Sequence, residues 1–230
     1  MINVWRSVFG FLAMFGMLAV CNGAERIKLL NADSGIAPGK VGEAQGMFVT
    51  GDSEGILSLE GVQNGIRMLT PPGGVAWGQV VDRPVDQLST LTWAWRTLPP
   101  EEPRADDLPI RLIVGYVDGP MPQRAAELRI NGLPTHNRAL LVVWGSNPND
   151  EGRRERVEDY ARYFANAGKT NGGWWEQTLD LRSLHQTLWP NVPIQNVRIA
   201  FVAVATRDSA QFSQADVMRI ELASPPQVLP

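Results

Sequence analysis

Short β-prone stretches follow one another from residue 55 onward, and glycine or proline separates nearly all of them. This spacing favours an all-β fold, an antiparallel β-sandwich of the jelly-roll or galactose-binding-like kind, over βαβ units. In chain order the predicted strands are ILSLE, IRMLT, VAWGQVV, LTWAWRTL, IRLIVGYVD, RALLVVWGS, WEQTLDL, NVRIAFVAVA and VMRIEL. The Asn64-Gly65 pair between the first two predicts a two-residue hairpin.

Two of the predicted strands contain LLVVWG and IAFVAVA, which are apolar on both faces. Neither face of such a strand meets water, so a second layer has to cover the side that faces away from the sandwich interior. We expect either a short helix or the N-terminal segment from Arg26 to Met47 to provide this layer.

One segment fits a helix and another fits both a helix and a strand. In LRSLHQTLWP, Asp180 is a suitable N-cap, Leu181, Leu184 and Leu188 share one helical face, and a proline ends the run. We expect one short helix here, packed on the sandwich, with His185 at its surface or boundary. The segment VEDYARYFANAG has aromatic residues at helical spacing and also alternates as a strand does, so both assignments stand.

The first 24 residues have the pattern of a signal peptide. MINVWR carries a positive charge, and the apolar run from Ser7 to Val20 falls short of the roughly 18 to 20 residues that span a membrane. Small residues, Cys21, Gly23 and Ala24, follow where a peptidase cuts. The pattern predicts a periplasmic or secreted bacterial protein, with a membrane anchor or a lipid on Cys21 as the alternatives.

Residues 25–222 are expected to form one β-sandwich domain, and the proline-rich residues 223–230 a flexible tail. The formal net charge of −3 gives no support to nucleic acid or an anionic membrane as a partner. Cys21 is the only cysteine, so a chain cut after Ala24 would have no disulfide and no cysteine-based metal site.

The tryptophans divide into core candidates and platform candidates. As a strand, LTWAWRTL places Leu91, Trp93 and Trp95 on one face, which favours a core layer over an exposed ligand platform. Trp174 and Trp175 are adjacent, so in a strand only one of them can join the core and the other is exposed. A ligand platform is therefore expected at that pair and at Trp77, which follows the PPGG turn.

Acidic residues at predicted strand ends are the other site candidates. Asp106 and Asp107 open the strand that carries Arg111, and Asp208 follows a later strand. If Arg111 points into the sandwich it must be paired, since a buried unpaired guanidinium costs several kcal/mol. Two interpretations of these residues stand: a structural salt bridge, and an ion-binding site at the end of the sheet. The candidate ligand-binding residues are Trp77, Trp175, Asp106, Asp107, Arg111 and Asp208.

Several short motifs occur in the order LTWAWR, DDLPIR, VVWGSN, WWEQTLDLR, VAVATRDS and ADVMRIEL. In this order they resemble a bacterial family of exported proteins classed as a domain of unknown function, over roughly residues 70 to 222. The resemblance implies a β-sandwich outside the cytoplasm and favours a strand for VEDYARYFANAG. In that family the late strand usually ends in two aspartates separated by one residue. This chain has Thr206, Arg207 and Asp208 there, so one of the two acids is replaced by arginine.

The sequence lacks the motifs of several common enzyme chemistries. His136 and His185 lack the partners of a histidine-based zinc site, and the chain has no nucleophile elbow, phosphate loop or dinucleotide fingerprint. Paired carboxylates can hydrolyse glycosides, and the acids considered for this are Asp106, Asp107, Asp208 and Asp216. No cofactor is expected, although oxygen-rich aspartate clusters could hold Ca²⁺.

Three functional hypotheses follow. The favoured one is a non-enzymatic, exported β-sandwich that binds a saccharide or another polar envelope ligand. The first alternative is an acid-dependent glycan hydrolase or lyase that uses Asp107 and Asp208. The second is a structural or partner-docking envelope protein whose contact surface is the loop 148–156 together with the proline-rich tail.

Overall fold

A computed structural model describes the chain in eleven stretches. They are residues 25–31, 39–40, 47–50, 58–62, 65–70, 76–97, 107–121, 129–130, 132–168, 172–206 and 213–225. The predicted signal peptide, with Cys21, lies outside these stretches, as do Asp106, Asp208 and residues 226–230 of the predicted tail. Within them, no helix has the length and apolar character that a membrane crossing requires.

Two sheets of seven strands form the predicted sandwich. Sheet A contains β1 (Arg26–Asn31), β2 (Gly39–Lys40), β4 (Ser58–Val62), β5 (Gly65–Thr70), β7 (Thr90–Thr97), β14 (Trp175–Asp180) and β16 (Ser213–Ala223). Its strand order is β14-β7-β16-β5-β4-β2, and β1 pairs with the second half of β16. All of its pairings are antiparallel.

Sheet B contains β3 (Met47–Thr50), β6 (Ala76–Pro84), β8 (Asp107–Asp118), β11 (Arg138–Gly145), β12 (Arg154–Val157), β13 (Tyr160–Ala167) and β15 (Val197–Thr206). Its order is β12-β13-β11-β8-β15-β6-β3. The pairing of β11 with β13 is parallel and the others are antiparallel. A small hairpin, β9 (Arg129–Ile130) and β10 (Leu133–Pro134), stands apart from both sheets.

The main core lies between the two sheets. Trp93 and Trp95 of β7 are 1% and 0% exposed, which confirms that they belong to the core. They pack beside Leu91 of the same strand face and against Trp144 of sheet B, which is 1% exposed. Large aromatic side chains of this kind dominate packing energy, so this layer joins the sheets.

A second, smaller cluster covers the outer face of sheet B. Phe48 of β3 and Phe201 of β15 meet edge to face, with ring centroids 5.5 Å apart, and Leu133 of the small hairpin packs beside them. This cluster explains why the central strands of sheet B are apolar on both faces. The expectation that the helix covers this face is wrong, because the helix packs in the main core instead.

The predicted helix is α1 (Leu181–Leu188), and its N-cap is Asp180, whose carboxylate accepts from the backbone N–H of Ser183 at 3.0 Å. Leu181, Leu184 and Leu188 lie in the core as expected. His185 is 0% exposed, so its expected place at the surface is wrong. It shares the leucine face because it is four residues after Leu181 and three before Leu188.

The segment that fitted both a helix and a strand begins at Val157, the last residue of β12, and continues as a two-residue turn and β13. Glu158 in that turn has φ +54, the left-handed conformation that a tight hairpin requires. The indole N–H of Trp189, just after α1, donates to the carbonyl of Glu158 at 3.1 Å. The predicted hairpin between β4 and β5 is also present, but Gly65, expected in its turn, is the first residue of β5 and pairs with Val62.

Candidate functional site

Trp174 and Trp175 lie on opposite sides of sheet A, as their adjacent positions predicted. Trp175 pairs in register with Trp95 and meets Trp144 edge to face, with centroids 5.5 Å apart, so it is on the inner side. Trp174 lies under the guanidinium of Arg96, whose Cζ is 4.9 Å from the ring centroid, on the outer side. We refer to Trp174 and Trp175 together as the tryptophan corner.

Trp175 is 39% exposed, although it stands on the inner side of its sheet. Its strand, β14, is the last one of sheet A, and so its inner side is open to solvent along one edge. Trp93, Trp95 and Trp144 are at most 1% exposed. Trp175 therefore presents a large apolar ring to solvent at the rim of an otherwise buried aromatic layer.

The layer behind Trp175 is held by specific hydrogen bonds. The indole N–H of Trp95 donates to Oδ1 of Asn166 at 3.0 Å, and that of Trp144 donates to the carbonyl of Gly168 at 3.2 Å. Trp95 and Trp144 are tilted against each other with centroids 6.0 Å apart. With both N–H groups satisfied, these rings form a fixed base on which Trp175 rests.

Cross-strand ion pairs occupy the outer face of sheet A beside Trp174. Asp216 of β16 is 1% exposed and accepts from Nε of Arg67 at 2.8 Å and Nε of Arg96 at 2.7 Å. Both carboxylate oxygens accept hydrogen bonds from guanidinium groups. Asp216 therefore joins β16 to its two neighbours in sheet A, β5 and β7.

A second ion pair crosses the same face one row further along. Glu176 of β14 and Arg219 of β16 stand on either side of Ala94 of β7 and bond to each other over it. Ala94 is 0% exposed although it faces outward, because the ion pair covers it. The small side chain of Ala94 leaves room for this ion pair, so Glu176 and Arg219 cover the outer face of sheet A next to Trp174.

A buried polar cluster beneath α1 was missed in the sequence. Arg138, which is 5% exposed, donates from Nε to Nε2 of His185 at 3.3 Å and bonds through both terminal nitrogens to the carboxylate of Asp118. The ring of Tyr116 meets that of His185 edge to face at 5.0 Å. The helical spacing of His185 with the three leucines was the signal that could have placed it in the core.

Burial sets the protonation of this cluster. It lowers the pKa of His185 to about 4, helped by the charge of Arg138 and opposed by that of Asp118. Burial also raises the pKa of the Tyr116 hydroxyl far above its usual range, against a smaller lowering by Arg138. At neutral pH both groups are therefore uncharged, which suits a structural role in the core.

The predicted site residues that the structure describes do not converge on one place. Trp77 is 2% exposed inside the main core, so the expectation of an exposed platform there is wrong; the inward face of β6 carries it between the sheets. Arg111 alternates with the buried Leu112 and is half-buried on the outer face of sheet B, so it does not point into the sandwich. Asp107 opens β8 with its backbone opposite Gly145.

The aspartates considered as an alternative calcium site include Asp106 and Asp208, which lie outside the described stretches. In the part of the chain that the structure describes, no three histidine, aspartate or glutamate side chains come close enough to hold a metal ion together.

Comparisons with known proteins give a likeness of architecture. No family model and no curated protein matches the sequence. Among solved structures, the xyloglucanase domain of NopAA from Sinorhizobium fredii, in complex with cellobiose, is 9% identical, with a TM-score of 0.44 over 80% of this chain and 96% of that one. The catalytic domain of Humicola grisea Cel12A is 11% identical, with a TM-score of 0.46 over 79% and 94%.

A family 11 carbohydrate-binding module from Clostridium thermocellum is also similar, at 11% identity and a TM-score of 0.40, over 87% of this chain and 94% of that one. At such identities and TM-scores none of these likenesses bears on the function of this chain. The strands and their pairing define this chain as an antiparallel-rich β-sandwich with one helix.

Proposed function

We propose that this protein is an exported, non-enzymatic β-sandwich that binds a saccharide at the tryptophan corner. The observation that carries the proposal is Trp175, which is 39% exposed yet packs against the buried ring of Trp144, which in turn packs against Trp95. An exposed indole on a fixed base is a ready stacking surface. It loses little conformational freedom when a ligand covers it.

A pyranose ring has an apolar face of C–H groups and a rim of hydroxyl groups. The apolar face suits the exposed ring of Trp175, and the hydroxyls need hydrogen-bonding groups nearby. Gln177 follows Trp175 on the same side of β14 and is partly exposed, so it supplies both a donor and an acceptor. Aromatic surface and polar groups thus alternate along this strand.

The described carboxylates near the corner favour binding over hydrolysis. Asp216 is fully engaged by two arginines, and Glu176 is paired with Arg219. Acid catalysis on a glycoside needs one carboxyl group that holds a proton and a second that stays ionised. Both described groups are instead bonded to arginine side chains across sheet A, so neither stands free to act on a glycosidic bond.

Isothermal titration calorimetry of the purified protein against a panel of soluble polysaccharides tests the proposal. We expect saturable binding to at least one of them and a loss of about tenfold or more in affinity on Trp175→Ala, the size typical of a central aromatic contact. Val157→Ala is the matched control, because Val157 is also a large exposed apolar residue, at 75%, on β12.

Two results would contradict the proposal. One is the absence of binding across the panel by a protein that melts cooperatively. The other is binding that Trp175→Ala and Val157→Ala leave equally unchanged, since the ligand would then be held elsewhere.

A further inference from the structure

Sheet B extends beyond sheet A on the side where Trp175 is exposed. Trp175 of the last strand of sheet A contacts Trp144 of β11, whereas β13 and then β12 lie further out in sheet B. Neighbouring strands are about 4.8 Å apart, so β12 lies roughly 10 Å to the side of β11. β16 of sheet A faces β8 of sheet B. Beyond that pair, the described part of sheet A has two further strands on this side, β7 and β14, and sheet B has three, β11, β13 and β12, so β12 is left without a counterpart. We call the strip between β14 and β12 the open side; it ends where Trp189 meets the β12–β13 turn.

The register of the β12–β13 hairpin sorts its charges by face. Arg154 pairs with Tyr163 and Arg156 pairs with Ala161, and both partners pack against the main core. Directly paired residues of an antiparallel ladder share a face, so both arginines project toward the open side. Glu155 projects to the opposite face.

Glu155, which lies between the two arginines in the sequence, is ion-paired on that opposite face. Glu155 forms ion pairs with Arg153 at 2.9 Å and Arg162 at 3.8 Å. Arg154 and Arg156 are exposed, and neither forms an ion pair with any residue in the described part of the chain. The open side therefore has two guanidinium groups available to a ligand.

These arginines lie in line with the tryptophan corner. Trp144, which contacts Trp175, pairs with Asn166 of β13. Tyr163, the partner of Arg154, comes before Asn166 in that strand, and Ala161, the partner of Arg156, comes earlier still. Arg154 is therefore nearer to Trp175 than Arg156 is, and the strip from Asn166 to Ala161 is about 15 Å long at 3.3 Å per residue. An extended chain of sugars lying along it would meet the indole first and the two guanidinium groups afterwards.

We propose that the open side selects polysaccharides whose sugar units carry carboxylates, with Trp175 stacking on one unit and Arg154 and Arg156 binding the carboxylates of the following units. The inference rests on the proposed function and names its ligand class. A guanidinium group presents parallel N–H donors that match the two oxygens of a carboxylate. A neutral polysaccharide leaves this capacity unused.

The net charge of the protein does not by itself favour an acidic polysaccharide. The formal net charge is −3, so the protein as a whole does not attract a polyanion. Acids also stand near the strip, since Glu158 and Asp159 form the turn after β12. Preferential binding of an acidic polysaccharide would therefore report the local arginines.

The test compares two forms of one polymer, polygalacturonate and its methyl-esterified form, by isothermal titration calorimetry. The esterified form keeps the backbone and loses the charge. We expect the acidic form to bind at least tenfold more tightly at low salt, and the preference to shrink as salt is added. Arg154→Gln and Arg156→Gln should each weaken binding of the acidic form by about fivefold to tenfold, and Arg154→Gln by more.

Arg182→Gln is the matched control, because Arg182 is an exposed arginine on α1 and its replacement changes the net charge equally. Equal binding of both polymers, lost on Trp175→Ala and unchanged by Arg154→Gln and Arg156→Gln, would overturn the acidic selectivity and leave the proposed function standing. Equal weakening by Arg182→Gln would assign the preference to overall charge and overturn the inference. No binding of either polymer by the folded protein would overturn it as well, and the panel of other polysaccharides would then decide the proposed function separately.

Discussion

Nε of Arg138 donates a hydrogen bond to Nε2 of His185, at 3.3 Å, inside the core. An arginine has no acceptor, so Nε2 has to carry the lone pair and the imidazole proton resides on Nδ1. A proton on Nε2 would abolish this contact and place a second positive charge beside Arg138. The pair therefore ties the fold to the neutral form of His185.

The stability of the protein should fall between pH 6.5 and pH 4 because of this pair. The pKa of His185 is about 4 in the folded state, against about 6.5 when unfolded. Above pH 6.5 both states are neutral and the contribution is complete. As the pH falls toward 4 the unfolded state binds a proton that the folded state does not, so up to about 1.4 kcal/mol is lost per pH unit.

Urea denaturation of the wild type and of His185→Gln at several pH values measures this effect. Glutamine keeps an acceptor for Arg138 and does not titrate, so its unfolding free energy should depend less on pH in this window. Parallel pH profiles for the two proteins would show that His185 is not the group responsible.

Replacement of Asp216 by alanine should destabilise the fold by about 2 to 4 kcal/mol, because it leaves Arg67 and Arg96 facing each other without their shared anion. The lower part of the range reflects the partial exposure of both arginines. Glu176→Gln is the control: its pair with Arg219 is exposed, and such pairs contribute about 1 kcal/mol or less. Equal losses in chemical denaturation would contradict the buried role of Asp216.

Replacement of Gly115 by alanine should destabilise the fold by about 1 to 3 kcal/mol through overpacking. A Cβ at this position would lie 2.1 Å from the ring of Phe201, in the cluster that covers the outer face of sheet B. Combination with Phe201→Leu should cost less than the sum of the two single changes, as measured by a double-mutant cycle. Simple additivity would mean that the two residues do not touch.

Trp144 and Trp175 should separate stability from binding. Trp144→Ala removes a fully buried ring and should cost about 3 to 5 kcal/mol. Trp175→Ala removes a ring that is already partly in water and should cost about 1 kcal/mol, while carrying the loss of saccharide affinity. Thermal melts of both variants compare the two losses of stability. A larger loss for Trp175→Ala than for Trp144→Ala would mean that Trp175 belongs to the core.

The local features of the fold were predictable because local chemistry dictates them. Strand alternation and the Asp180 N-cap each act over a few residues, and the structure has β7 and α1 where those signals placed them. Trp93 and Trp95 were placed in the core for the same reason, since a strand face that repeats large apolar residues has to be buried.

The features that define the site depend on which strands end each sheet, and no local pattern states this. Trp175 is exposed because β14 is an edge strand, and Trp77 is buried because β6 is not. The ion pairs of Asp216 join residues 149 and 120 positions apart, which sequence spacing does not connect. The arginine pair on β12 became meaningful only once its register with β13 was known.

β16, which follows every other described strand in the chain, stands at the centre of sheet A, where it pairs with β7 on one edge and with β5 and β1 on the other. A growing chain therefore has three strands of this sheet waiting for a shared partner until residue 223 has been made. Sheet A can therefore close only once β16 has been made, and the pairing edges of β7, β5 and β1 remain open until then.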